Sequence, residues 1–356
     1  MKTGIANLPL HGGKAPAWLF QRMVKLASAM IEVIISEYGS HEFLRRVSDP
    51  FWFQGFGCVL GFDWHSSGVT TTVCGAIKEG IKYKEKDLGL FVCGGKGRAS
   101  RKTPIEIQDW GEKLSKDTDH LVYASKMSAK VDTTAIQDGY QLYHHLFLFD
   151  TNLNWSVVQQ GMNEHNKYAR RYHWLSHNKL HFVQDPHTAI CCDSKSETLN
   201  LATKESEDNQ NVSTELSREM PYVVMKELQK LQTISLPRRH AILQKDIKPR
   251  NFEKVLVSTY EKQPQNFEEL LGTPGLGPKS LRSLSLISEL VFGKPASWKD
   301  PVKYSFAHGG KDGTPYPVDR KTYDRSVDYL EEVIHKSKID YTEKEKAFKR
   351  LKLLNC

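Results

Sequence analysis

The chain has 356 residues, and its 50 lysines and arginines against 42 aspartates and glutamates give a formal net charge of +8. Apolar residues make up 39% and charged residues 26%, which excludes wholesale disorder and permits substantial hydrophobic cores. No apolar run approaches the roughly 18 residues that a membrane span needs, and the first residues lack a signal-peptide pattern. We therefore expect a cytoplasmic protein of two domains with a polyanionic partner.

The first part of the chain mixes helix and strand patterns. Alternating apolar residues over 140–149 and 155–160, joined by turn-forming residues, predict a β-hairpin. Residues 163–174 are predicted to form a helix that interleaves cations with aromatic rings. This mixture predicts an α+β, catalytic domain over residues 1–195.

The rest of the chain is predicted to be mainly helical. Residues 196–218 are rich in polar side chains and almost free of large apolar ones, which indicates a linker or exposed loop. Residues 219–356 carry patterns of helix and turn. They predict an α-helical, DNA-binding C-terminal domain.

Residues 266–291 resemble the helix-hairpin-helix motif of DNA-repair proteins. A short apolar helix runs into Pro-Gly-Leu-Gly, and a second helix follows with apolar residues on one side. The glycines permit a tight turn, and backbone N–H groups at a helix N-terminus can hold a DNA phosphate. Such contacts do not depend on base identity. The residues predicted to make or support them are Gly275, Gly277, Lys279, Ser280 and Arg282.

A DNA glycosylase/AP lyase is the first alternative. Enzymes of this class that carry the motif place a nucleophilic lysine directly after Gly-x-Gly-x and an assisting aspartate downstream. Lys279 matches the lysine, and Val318-Asp319 resembles the aspartate segment, although their separation is about twice the usual one. Leu281 also stands where these enzymes have a small residue. A non-enzymatic DNA-binding protein is the second alternative.

A glycine-rich basic segment over 94–102 forms another candidate anion site. It follows a predicted strand and precedes a predicted helix that begins at Thr103, an arrangement that suits phosphate binding. The spacing of a nucleotide-binding P-loop is missing. The cations expected to contact the DNA backbone outside the helix-hairpin-helix segment are Lys96, Arg98, Arg101, Lys102, Arg170, Arg171 and Lys311.

Histidines, acids and an amide supply candidate catalytic groups in the first domain. They are Asp63, His65, Asp138, His144, His145 and Gln159. Opposed ends of the predicted hairpin can bring Asp138 and Gln159 to one of the two adjacent histidines. Such a group can bind a divalent metal such as Mg or Mn, or act as general base on a phosphodiester. We therefore predict a nuclease-like DNA-repair enzyme that acts on the backbone without sequence specificity.

Long segments along the chain resemble an uncharacterised prokaryotic family, the domain of unknown function number 763. The matching segments are residues 3–6, 10–16, 57–68, 137–145, 157–162 and 305–313. The resemblance implies a two-part protein of bacteria or archaea with a helix-hairpin-helix tail. It implies no established activity.

Overall fold

The computed structural model describes residues 15–62, 66–176, 181–192, 195–231, 249–302 and 320–352. Its helices in these ranges are α1 (Ala17–Tyr38), α2 (Ser40–Val47), α3 (Pro50–Leu60), α4 (Gly68–Gly80), α5 (Glu85–Leu88), α6 (Thr103–Leu114), α7 (Asp119–Lys130), α8 (Glu207–Arg218), α9 (Pro221–Leu231), α10 (Pro249–Lys262), α11 (Phe267–Gly272), α12 (Pro278–Leu290), α13 (Arg320–Lys336) and α14 (Tyr341–Lys352). Short 3₁₀ helices cover Gly97–Lys102 and Lys204–Ser206, and a π-helical turn covers Val131–Ala135. None of these helices has the length and apolar character that crossing a membrane requires.

An antiparallel sheet of five strands forms the centre of the fold. The strands of the described residues are β1 (Leu90–Lys96), β2 (Ile136–Gln137), β3 (Gln141–Asp150), β4 (Trp155–Asn163), β5 (Tyr168–Leu175), β6 (Ala189–Cys191) and β7 (Leu199–Asn200). The order in the central sheet is β1-β3-β4-β5-β6. Strands β2 and β7 form a separate small antiparallel pair. The predicted hairpin is confirmed as β3 and β4. The helix predicted over 163–174 is wrong, because most of this segment is strand β5.

The sheet carries an apolar core on each face, so the fold has three layers. Side chains alternate along β1: Leu90 and Val92 join one core, and Phe91 and Cys93 join the other. On the first face the core includes residues of α1–α4, α13 and α14. On the second face it includes residues of α6–α12. Both cores contain residues from either side of the predicted 196–218 boundary.

The segment 196–218 differs from the predicted linker. It forms β7, a 3₁₀ turn and α8, and several of its polar side chains are buried. Nδ2 of Asn209 donates to the carbonyls of Ser285 (3.0 Å) and Lys294 (2.6 Å). Nε2 of Gln210 donates to the carbonyls of Val183 (2.9 Å) and Leu201 (2.8 Å). Hydrogen bonding therefore permits these polar residues to lie inside the second-face layer.

Candidate functional site

The basic segment predicted over residues 94–102, called the basic loop below, comprises the last three residues of β1 and the 3₁₀ helix Gly97–Lys102, and it carries exposed cations. Gly94 has a φ of +89°, in the left-handed region that disfavours a side chain. Its N–H donates to Oε2 of Glu106 (2.9 Å), and its carbonyl accepts from Nζ of Lys78 (2.9 Å). Lys78 and Glu106 also form an ion pair (2.7 Å), which holds the base of the loop. The cations predicted here to bind DNA are all exposed: Lys96, Arg98, Arg101 and Lys102.

The two adjacent histidines of β3 lie beside the basic loop. In the register of β1 with β3, His144 stands opposite Lys96 and His145 opposite Gly95. The exposed fractions of the two histidines are 2% and 6%. Neither ring nitrogen of His144 has a hydrogen-bond partner among the described residues. Nδ1 of His145 bonds Oε1 of Gln159 (2.8 Å), so the predicted meeting of a histidine with Gln159 across the hairpin is present.

A cavity of about 570 Å³, the histidine cavity, opens between the basic loop, β3 and α7. Its wall includes Ser125 and both histidines. Three cationic side chains also line it: Arg101, Lys126 and Lys130. Cations around a cavity that contains neutral polar groups favour an anionic ligand such as a phosphate.

A buried hydrogen-bond chain runs from the cavity wall into the second-face core. Nε2 of His145 bonds Oγ of Ser125 (2.9 Å), and Nε2 of Gln159 donates to Oδ2 of Asp132 (2.6 Å). Oδ1 of Asp132 bonds Nε2 of His187 (2.5 Å). Asp132 is completely buried in the π-helical turn that follows α7. Such turns are frequent at functional sites, because they redirect a side chain that a regular helix would place elsewhere.

Ser125, Asp132 and His187 are not among the site residues predicted from the sequence. The available signal was polarity on a buried helix face, since Ser125 lies one turn from the buried Leu121 and Val122. Such a serine on an apolar face is common in cores. Only the contacts across the sheet identify this one as the partner of a histidine.

Burial of His144 predicts a loss of stability in acid. Desolvation, with smaller effects from His145 and Lys96, lowers the pKa of His144 from its ordinary value of 6.5 to about 3. Between these values the unfolded chain binds more protons than the folded chain, so the free energy of unfolding decreases as the pH falls. We expect His144→Leu to reduce the loss of this free energy between pH 7 and pH 5 by about 2 kcal/mol. Urea unfolding at both pH values measures the difference.

Leu146, which is buried on the same strand as His144, provides the control for this prediction. Its side chain does not titrate, so Leu146→Ala should lower stability but leave the pH dependence of unfolding as it is in the parent protein. The same loss of stability on acidification in His144→Leu and in the parent would show that the ring of His144 is not excluded from water.

Asp138 is not among the residues that line the histidine cavity. Its buried carboxylate accepts from Nη1 of Arg170 (3.0 Å) and from the hydroxyl of Tyr172 (2.6 Å). Nη2 of Arg170 donates in addition to Asp300 (2.8 Å). The predicted catalytic cluster therefore divides: His145 and Gln159 meet at the cavity, whereas Asp138 forms part of a buried ion pair.

The two arginines of β5 are buried, which corrects their predicted contacts with DNA. Arg170 and Arg171 are both 0% exposed, because β5 lies between β4 and β6 with helices packed over the sheet. Arg171 donates from Nε to Nε2 of His173 (2.9 Å) and from Nη1 to Oε1 of Gln54 (3.0 Å). Desolvation lowers the pKa of Arg171 to about 10. Neither guanidinium can reach a DNA backbone in this arrangement.

The predicted helix-hairpin-helix segment consists of α11, the 273–277 turn and α12. Gly275 has a φ of +86°, and Gly277 occupies the N-cap position of α12. A second cavity, of about 540 Å³, lies beside this turn. The other residues predicted here to bind DNA differ in exposure, since Lys279 is exposed and Ser280 and Arg282 are half-buried.

The 273–277 turn adjoins the histidine cavity. Gly272, which precedes the turn, lies in the cavity wall. Nζ of Lys130, another wall residue, donates to the carbonyl of Leu276. The basic loop and the 273–277 turn thus flank the same cavity, although the sequence places them far apart.

The remaining predicted site residues lie outside the described residues: Asp63, His65, Lys311 and Asp319. Within the described ranges, no group of three or more histidine, cysteine, aspartate or glutamate side chains is placed to hold a metal ion.

The fold and the cavity define an α/β protein with a basic, histidine-lined site. A protein-family model described as "Protein of unknown function (DUF763)" matches residues 4–318. The chain belongs to this family, which confirms the resemblance found in the sequence. No curated protein and no solved structure matches the chain.

Proposed function

We propose that this protein binds the DNA backbone without sequence specificity and acts on its phosphodiesters at the histidine cavity, as a nuclease-like DNA-repair enzyme. One observation carries the proposal. The basic loop adjoins the cavity that contains His145 through Arg101, and the 273–277 turn adjoins it through Gly272 and the bond from Lys130 to Leu276. Two anion-binding elements on either side of a base can hold a continuous polyanion with one of its phosphates at that base.

The chemistry of the cavity supports the proposal. A guanidinium such as that of Arg101 binds phosphate oxygens in a bidentate manner, and Lys126 and Lys130 add positive charge nearby. Negative charge develops on the oxygens of a phosphoryl group during transfer, and fixed cations stabilise it. A neutral histidine in the same wall can accept a proton.

Charge reversal in the basic loop tests the binding part of the proposal. We expect Lys96→Glu/Arg98→Glu to weaken binding to a random DNA duplex by at least about tenfold at 0.1 M salt. The slope of log K against log salt should become shallower by about 2, because two phosphate contacts are lost. Fluorescence anisotropy over a salt series measures both, and nicking of supercoiled plasmid should decrease with the binding.

Lys338→Glu/Lys349→Glu is the matched control, because it reverses the same number of exposed charges near the C-terminal helices of the first face. It should change affinity and salt slope far less than the loop variant does. Equal losses in the two variants would indicate attraction by net charge alone and would contradict a binding site at the loop. Binding that does not depend on salt would exclude the proposal altogether.

Two alternatives make different predictions in the same assays. The glycosylase/AP lyase alternative requires a covalent adduct of Lys279 with abasic DNA that borohydride traps and that Lys279→Ala abolishes. Lys279 lines the second cavity, and its proposed partner Asp319 lies outside the described residues. A non-enzymatic DNA-binding protein would bind in a salt-dependent way and neither nick plasmid nor form that adduct.

A further inference from the structure

The hydrogen bonds of Gln159 determine which nitrogen of His145 carries the proton. Nε2 of Gln159 donates to the Asp132 carboxylate, so its Oε1 must be the atom that faces Nδ1 of His145. An amide oxygen only accepts, and therefore Nδ1 carries the hydrogen in the neutral ring. The lone pair is then on Nε2, which accepts the hydrogen bond from the hydroxyl of Ser125.

These hydrogen bonds run in the direction that an activated nucleophile needs, from the hydroxyl of Ser125 to Nε2 of His145. A hydroxyl becomes a nucleophile when a base within hydrogen-bond reach takes its proton and a third group fixes the orientation of that base. Here the base is His145 and the orienting group is Gln159. Asp132 anchors Gln159 and itself accepts from Nε1 of Trp174 (3.0 Å).

The position of the pair indicates an anionic substrate. Ser125 and His145 are 2% and 6% exposed, and both form part of the wall of the histidine cavity. Arg101, Lys126 and Lys130 line the same wall. A phosphoryl group next to Ser125 would therefore lie near three positively charged hydrogen-bond donors. A neutral acyl substrate would make no use of these cations.

We propose that Ser125 is a nucleophile, activated by His145, that forms a covalent phosphoseryl intermediate with a phosphodiester bound in the histidine cavity. The inference rests on the proposed function and supplies its reacting atoms. It assigns Gln159 and Asp132 as positioning residues, because they act through His145.

The reaction of the phosphodiester with Ser125 and then with water needs no other reactant. A lone pair of Ser125 Oγ forms a bond to phosphorus while the hydroxyl proton passes to Nε2 of His145. The bond from phosphorus to the leaving ester oxygen breaks, its electron pair stays on that oxygen, and His145 returns the proton to it. Water then attacks phosphorus and gives its proton to His145. The bond to Oγ breaks, and Ser125 recovers the proton.

A fluorophosphonate probe tests the nucleophile without DNA. Attack by Ser125 would form an oxygen–phosphorus bond and release fluoride with the electron pair of its bond to phosphorus. We expect the intact, folded protein to gain one phosphonyl group, and peptide mass spectrometry should locate it at Ser125. Labelling at another residue, or none under conditions that label a serine hydrolase, would overturn the inference.

Variants show whether His145 activates the hydroxyl of Ser125 or whether that hydroxyl is simply buried. Ser125→Ala should abolish labelling, and His145→Gln should slow it by about 100-fold. Ser217→Ala is the matched control, because Ser217 is a completely buried helical serine that bonds the carbonyl of Thr214 (2.7 Å) and does not line the histidine cavity. It should label at the parental rate. Equal rates in His145→Gln and the parent would contradict activation by His145.

The pH dependence of labelling gives a readout that a structural role would not affect. Desolvation lowers the pKa of His145 to about 4, so the ring is neutral at pH 7 and its Nε2 is free of a proton. The labelling rate should therefore stay constant from pH 8 to about pH 5 and decrease below that value. A decrease centred near the ordinary histidine pKa of 6.5 would contradict the assigned base.

Plasmid nicking distinguishes failure of this inference from failure of the proposed function. Nicking that continues unchanged in folded Ser125→Ala would overturn the role of Ser125 and leave the proposed function in place. A parent protein that labels at Ser125 but shows no salt-dependent binding to DNA would overturn the proposed function and, with it, the phosphodiester substrate.

Discussion

Replacing Asp138 with asparagine is expected to lower the free energy of unfolding by about 2–4 kcal/mol. The change removes one of two carboxylates that neutralise the buried guanidinium of Arg170, and it weakens the bond from the hydroxyl of Tyr172. Asp300 still pairs with Arg170, so the cost comes from the buried hydrogen bonds of Asp138 that are lost or weakened where no water replaces them. Urea or thermal unfolding of the two proteins at pH 7 gives the difference.

The control is the same substitution in an exposed ion pair. Asp208 bonds Nζ of Lys294 (2.8 Å) with both side chains largely in solvent, so Asp208→Asn should cost less than about 1 kcal/mol. If Asp138→Asn were as stable as Asp208→Asn but had lost nicking activity, the structural assignment of Asp138 would be wrong. The catalytic role predicted from the sequence would then be restored.

Replacing Gly94 with alanine is expected to destabilise the protein by about 2–5 kcal/mol, the sum of backbone strain and overpacking. A Cβ at this position would lie 2.3 Å from the carbonyl oxygen of His145 and 2.4 Å from Oγ1 of Thr103. Its φ of +89° adds a conformation that alanine rarely adopts. The strand would have to move away from His145, so DNA affinity should decrease together with stability.

Gly97→Ala in the same basic loop isolates the steric part of this effect. Gly97 also has a positive φ, +62°, but nothing lies within 4 Å of the position of its Cβ. We expect a cost of about 1–2 kcal/mol from the backbone alone. Similar destabilisation by both substitutions would show that the close approach of β1 to β3 at Gly94 does not limit stability.

Local patterns in the sequence identified the parts of the fold that depend on neighbouring residues. The alternation in 140–149 and 155–160 became β3 and β4, and Thr103 with Pro104 begins α6 as expected. The meeting of His145 with Gln159 followed from the same hairpin, since the two residues face each other in its register. In each of these cases the information lies within about 20 residues of chain.

The arginines of β5 could not be placed from local information. Arg170 and Arg171 stand among aromatic residues, a pattern that also suits an exposed helix for nucleic acids. Their burial depends on Asp300 and Gln54, which are 130 and 117 residues away along the chain. The two arginines lie in the interior because residues distant in the sequence form hydrogen bonds or ion pairs with their guanidinium groups. No periodic pattern in the neighbouring sequence encodes these contacts.

The hydrogen-bond chain of the candidate site was hidden for a similar reason. Ser125 and His145 are 20 residues apart, and Gln159 and Asp132 are 27 residues apart, with no spacing rule that joins them. A polar composition was equally misleading in α8, where Asn209 and Gln210 look like surface residues and are buried. The polar type of these side chains predicted that they would be exposed to solvent. They are buried instead, because each has specific hydrogen-bond partners in the interior.

The first-face layer has a consequence for how the chain folds during its synthesis. Its core joins α1 and α3, which leave the ribosome early, to α13 and α14, which emerge after the sheet and the whole second-face layer. Until then the first-face core lacks the apolar side chains of α13 and α14, Leu330 and Leu351 among them, that complete it in the native fold. Contacts between such distant segments form slowly, because a long loop must close first. The nascent chain therefore exposes apolar surface until α13 and α14 have been made. Chaperones bind such surface on incompletely folded chains.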